Sequence, residues 1–165
     1  MKAYWEKLIA LLTEMIGLYR AILELSRQKR ELLIAVKPQE LEAVTKQEEL
    51  LILQVGKLEA ARGRLTQEIA VASGRKSAAL TLAELKELAG PAESEKLEAI
   101  AADLDQIMQE LAPINQLNAD LIQRALGFIN YNLNLLTQSA AGPTYAPGGR
   151  NVQDSPQRKL VDRKI

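Results

Sequence analysis

Apolar residues recur every three or four positions along almost the whole chain, in three long registers of a seven-residue repeat. In the first, Tyr4, Leu8, Leu11, Met15, Leu18, Ile22, Leu25, Lys29, Leu32 and Val36 stand alternately four and three apart, and only Lys29 is charged. That spacing lays one stripe along a helix and buries it against other helices. It predicts a first helix over 2–36. Pro38 restricts Lys37 and suits the first turn of a second helix over 38–73, with Gly74 as its C-terminal cap. The second stripe reads Leu41, Val44, Glu48, Leu51, Val55, Leu58, Arg62, Leu65, Ile69 and Ala72, with Glu48 and Arg62 breaking the apolar rule.

Arg75, Lys76 and Ser77 fall in a connecting loop. Thr81-Leu-Ala-Glu84 then has the spacing of a capping box and predicts a short helix over 81–89 that stops at Gly90. Pro91 opens the last helix, over 91–138, with the stripe Leu97, Ile100, Leu104, Ile107, Leu111, Ile114, Asn118, Leu121, Ala125, Phe128, Asn132 and Leu135. Pro113 lies inside this pattern without shifting its phase, which predicts a kink rather than a break. From 140 onward the composition changes, with Gly142, Pro143, Pro147, Gly148 and Gly149 close together, and a flexible tail over 139–165 is expected, with one short helix begun at Ser155-Pro156 as an option. The fold class is therefore all-α: an antiparallel three-long-helix bundle or coiled coil, one short connecting helix and an irregular C-terminal tail. The bundle domain spans 1–138.

Charges within the stripes carry information about register. A hairpin turning near 38 pairs positions whose numbers add to about 77, which sets Lys29 level with Glu48. Two readings stand: a paired register lock, or two side chains snorkelling to the surface. Arg62 falls opposite Met15 by the same arithmetic, so its partner is expected from the third long helix, among Asp103, Asp105 and Glu110. Asn118 inside the stripe reads as a core polar pair or a register device. Gly56 and Gly63 each cost about 1 kcal/mol of helix propensity relative to Ala. Close approach of another helix or simple tolerance would account for them.

Length adds a further expectation. At 1.5 Å per residue the first two helices span about 53 Å and the last about 72 Å, so about 12 residues should extend past the turn. That stretch holds Phe128, Ile129, Tyr131, Leu133, Leu135 and Leu136, threaded with Asn130, Asn132 and Asn134. Apolar residues on most sides of a projecting helix call for a partner, unless the 74–90 loop or the tail folds over them.

Composition narrows the chemistry. The chain has neither cysteine nor histidine. Disulfides, thiolate zinc sites, Cys nucleophiles, His-based triads and Glu-x-x-His di-iron sites are excluded. Glu48, Glu49 and Glu110 are carboxylates on amphipathic helices, no Gly-rich phosphate loop is present, and no catalytic, metal or cofactor site is expected. The 21 basic residues balance the 21 acidic ones. The tail is the exception, with Arg150, Arg158, Lys159, Arg163 and Lys164 against Asp154 and Asp162. No aromatic platform accompanies those charges, so nucleic-acid binding is not expected. The N-terminus lacks a signal-peptide core and no apolar run suits a membrane span, so a cytoplasmic protein without membrane insertion is expected.

Several segments together resemble the FlgN family of flagellar type III export chaperones. They are the Leu-rich first helix ending in Lys29-x-x-Leu32, then Leu41-x-x-Val44-x-x-x-Glu48-Glu49, and Leu58-Glu59-x-x-Arg62. Asn115-x-x-Asn118-x-x-Leu121 and Thr144-Tyr145-x-x-Gly148 follow in order. The resemblance covers the whole chain. It implies a cytoplasmic helical chaperone that holds the C-terminal helical segments of the hook–filament junction proteins FlgK and FlgL and delivers them to the export apparatus. The client-binding region it implies is the C-terminal part: Phe128, Tyr131, Leu135, Leu136 and Tyr145, with Ile129 and Leu133 between them. The alternative is a structural coiled-coil scaffold or tether that self-associates as a homodimer through the same helix.

Overall fold

The computed structural model describes residues 1–75 and 80–140, with side chains as far as Thr137. Its elements in chain order are α1 (Lys2–Ile34), α2 (Pro38–Ala72), α3 (Leu82–Leu88) and α4 (Pro91–Ala140). Every element is a helix, and among the described residues there is no strand. By packing, the chain divides into two units, Met1–Leu126 and Gly127–Ile165.

The turn between α1 and α2 departs from the stripe. Val36 is 81% exposed with a φ of 55°, a left-handed conformation. The Lys37 N–H donates to the Leu32 carbonyl (3.1 Å) and the Val36 N–H to that of Leu33 (3.4 Å). This is a Schellman cap, which needs a left-handed residue just past the helix end. Val36 therefore serves the turn instead of the stripe, at a cost of about 1–2 kcal/mol for an L-residue. The end of α2 uses the same device with Gly74, as expected: φ is 71°, and the Arg75 N–H donates to the Ala70 carbonyl (2.9 Å). Glycine adopts that conformation without the steric penalty.

Two clusters hold the first unit together. One joins Trp5 and Leu8 of α1, Leu65, Ile69 and Ala70 of α2, Leu80 and Leu85 at α3, and Leu97 of α4. The other joins Ile16, Ile22 and Leu23 of α1 to Ile107 and Leu111 of α4, with Leu51 and Val55 of α2 packed against it. Leu8, Ile69 and Leu97 are wholly buried, and each such side chain contributes about 1.5–3 kcal/mol. Contact positions fall along α2 as they rise along α1, from Leu8 with Ile69 to Lys29 with Glu48.

The buried face of α1 is wider than one stripe. Trp5, Ile16, Leu23 and Ser26 are buried beside Leu8, Met15, Ile22 and Leu32. They belong to a second seven-residue register offset by one position (Trp5, Ile9, Leu12, Ile16, Tyr19, Leu23, Ser26). A helix with two adjacent stripes packs against two neighbours, and α1 does so against α2 and α4.

α3 carries the predicted capping box. The Thr81 N–H donates to Glu84 Oε2 (2.8 Å) and the Glu84 N–H to Thr81 Oγ1 (3.3 Å). Helix α4 runs through Pro113 as one element. Close approach does not account for Gly56 or Gly63: a Cβ at either would meet nothing within 4 Å.

Candidate functional site

Three helices bring polar groups together inside the first unit. Lys29 pairs with the Glu48 carboxylate, and their side chains are only 14% and 9% exposed. Ser26 Oγ, fully buried, donates to the other Glu48 oxygen at 2.9 Å and lies 3.1 Å from Oδ1 of Asn115. A hydroxyl has one hydrogen. With it given to Glu48, the Ser26 hydroxyl has no second hydrogen for Asn115 Oδ1. Asn118, 4% exposed, donates from Nδ2 to the Ser26 carbonyl at 2.9 Å, while its buried Oδ1 has no partner among the described residues.

The Lys29–Glu48 pair and Asn118, anticipated as separate features, thus meet at one point. Ser26 joins them there, and it was missed because a serine does not register in an apolar periodicity. The second α1 register would have found it, since Ser26 occupies the next position after Tyr19 and Leu23.

Arg62 differs from expectation. Its guanidinium is bonded by Nε (2.9 Å) and Nη2 to Glu59 of its own helix, not to an acid of the third long helix. That hydrogen bonding, with the charge of the partner, draws Glu59 below its ordinary carboxyl value and raises Arg62. Two of the three acids expected for Arg62 are taken by α1: Asp103 by Arg20 (2.9 Å) and Glu110 by Arg27. An acid three residues away on the same helix face competes well with a cross-helix partner.

The stripe of α4 changes character along its length. Leu97, Ile107, Leu111 and Asn118 are buried, Leu121 is half-buried and Ala125 is exposed. In the second unit Phe128, Ile129, Tyr131, Leu133, Leu135 and Leu136 are all exposed, from 45% at Leu135 to 69% at Phe128. Asn132 bonds back to the Phe128 carbonyl at 2.9 Å, which satisfies its amide within its own helix. No charged residue occurs between Arg124 and Arg150. Tyr145 and the basic tail lie outside the described residues.

Among the described residues, no group of His, Cys, Asp or Glu is placed to hold a metal ion. No helix among them is long and apolar enough to cross a membrane.

An all-helical chain with a packed N-terminal unit and an uncharged, apolar helix end has the form of a helical binding protein. The FlgN protein family matches residues 1–153, and the chain belongs to that family. FlgN proteins are flagellar export chaperones that bind hook-associated proteins. No curated protein matches the chain, and no solved structure matches it.

Proposed function

We propose that this chain is a cytoplasmic export chaperone for hook–filament junction proteins of the FlgK and FlgL type. It holds their C-terminal helical segments and delivers them to the type III export apparatus. The three long helices form an antiparallel bundle, and the described part of the second unit supplies the client-binding surface through Phe128, Ile129, Tyr131, Leu133 and Leu135, with Leu136 and Tyr145 in the same region. Lys29 and Glu48 act with Asn118 to fix the bundle's register.

The observation that carries this reading is the end of α4: large apolar side chains, broadly exposed, on a stretch of helix with no charge after Arg124. Monomeric proteins rarely leave such a surface bare, and an amphipathic partner helix suits it. Covering about 600 Å² of apolar surface yields about 15 kcal/mol gross at about 25 cal/mol/Å². Ordering the client helix and losing translational freedom offset much of that. The balance favours reversible capture, which export of an unfolded client requires.

The test is calorimetric. Phe128→Asp with Leu135→Asp should abolish binding of a purified C-terminal segment of a hook-associated protein, with the circular dichroism spectrum unchanged. Unaltered affinity in that variant refutes the assignment.

A further inference from the structure

The apolar end of α4 is wider than one docking helix needs. Its exposed large side chains run around the helix from Tyr131 through Leu135 and Phe128 to Ile129 and Leu133. At about 100° of turn per residue that is an arc of about 200°. Asn130 and Asn134 hold the opposite side. A helix covered by one neighbour carries an apolar stripe of about 100°.

The arc resolves into two seven-residue registers offset by one position. Leu121, Ala125, Phe128, Asn132 and Leu135 continue the stripe that begins at Leu97, and Ile122, Leu126, Ile129, Leu133 and Leu136 form the second. From Glu98 to Ala119 that second register holds Glu98, Asp105, Met108 and Asn115, and otherwise alanine. It turns aliphatic at Ile122 and stays so. The internal comparison is α1, which also has two registers offset by one. Residues of both are buried there, and two helices, α2 and α4, cover them. Asn132 interrupts the first register at the end of α4, but its amide already donates to the Phe128 carbonyl, which lowers the cost of covering it.

Area points the same way. Of the roughly 600 Å² of apolar surface taken for this face, one helix on one stripe covers about half, against about 800 Å² per partner in a stable complex. A symmetric pair of chaperone chains meeting through one stripe leaves the other stripe of each chain bare.

We infer that the end of α4 is covered by two helices of one client chain, one on each stripe, in a three-helix unit with α4 as the shared member. The inference rests on the chaperone reading above and specifies the form of its client. Each client helix faces α4 with an uncharged apolar stripe, because the chaperone has no charge between Arg124 and Arg150 to pair with one. Carried on one chain, the two helices raise each other's effective concentration, so neither has to bind tightly alone.

The chain has no native cysteine, so single variants Leu133→Cys, Asn134→Cys and Leu135→Cys of the full chain can each carry a photoactivatable maleimide. The probe is a purified full-length hook-associated protein. Leu133 and Leu135 lie on different stripes, about 160° apart, with Asn134 on the polar side between them. Crosslinks at 133 and 135 should map to two separate segments of the client in an equimolar complex, with background at 134. Ile129→Asn with Leu133→Asn removes one stripe and should weaken binding at least about tenfold, with helicity retained. Both positions marking one client segment, a complex holding two client chains, or unchanged affinity in that variant overturns the two-helix inference and leaves the chaperone reading intact. A second chaperone chain at one position beside client at the other does the same. No client crosslink at either position removes both readings.

Discussion

At the residue scale, the decisive feature is the polar point where Lys29, Glu48, Ser26 and Asn118 meet. A nearly buried ion pair adds little net stability over a hydrophobic pair, because desolvation offsets the attraction. Breaking it from one side is another matter. Lys29→Met leaves the Glu48 carboxylate with only the Ser26 hydroxyl, and should cost about 3 kcal/mol in urea unfolding. Adding Glu48→Leu should restore most of that, since no orphaned charge remains. A double variant as unstable as the single one would show that packing, not charge, governs the site. The register role predicts more: the double variant should be stable but less uniquely paired, visible as broadened amide resonances in α1 and α2.

At the element scale, α3 and α2 illustrate opposite uses of local sequence. Only seven residues long, α3 is held by its cap, by Arg75 on Glu84 and Glu87, and by Leu80 and Leu85 against Trp5. The Thr81 backbone and side-chain bonds, with Arg75, draw the Glu84 carboxyl below its ordinary value of 4.5. A carboxyl lowered in the folded state stabilises it fully above the unfolded value and loses that contribution as pH falls through the lowered one. Trp5, the only tryptophan, reports on the docking of this segment. At pH 7 Glu84→Gln should red-shift Trp5 emission relative to the unaltered chain, and the difference should vanish in strongly acidic solution. A difference that persists there would assign the shift to packing instead. In α2, Gly56 and Gly63 have open space around them. Gly56→Ala and Gly63→Ala should each raise stability by about 1 kcal/mol, read from denaturant midpoints. A loss at either position would point to a neighbour that the isolated chain does not contain.

At the scale of the whole molecule, charge and apolar surface are segregated along the chain. The first unit carries ion pairs between its helices as well as within them, whereas no charge interrupts 125–149. Client capture through that stretch should depend weakly on salt, because screening acts on exposed charges and not on apolar contact. Raising the salt from about 50 mM to about 500 mM should change the dissociation constant of the hook-associated segment less than threefold. A steep loss would relocate binding to the basic tail, where each paired charge contributes to a salt-dependent slope.

Much of this was legible in the residues alone. The seven-residue stripes, Pro38, Gly74, the Thr81–Glu84 box and Pro91 set four helices and their ends, because propensity, capping and turn chemistry act over a few residues. The Lys29–Glu48 pairing followed from hairpin arithmetic, since two helices joined by a tight turn leave one free register. Val36, Ser26 and Arg62 were decided only by the tertiary structure. Val36 left its stripe because closing the turn required a left-handed residue. Ser26 became central because α1 has two neighbours, and a single periodicity describes only one. Arg62 took the acid on its own helix while two of the three candidates on α4, Asp103 and Glu110, were held by Arg20 and Arg27, a competition between distant side chains that local spacing does not record.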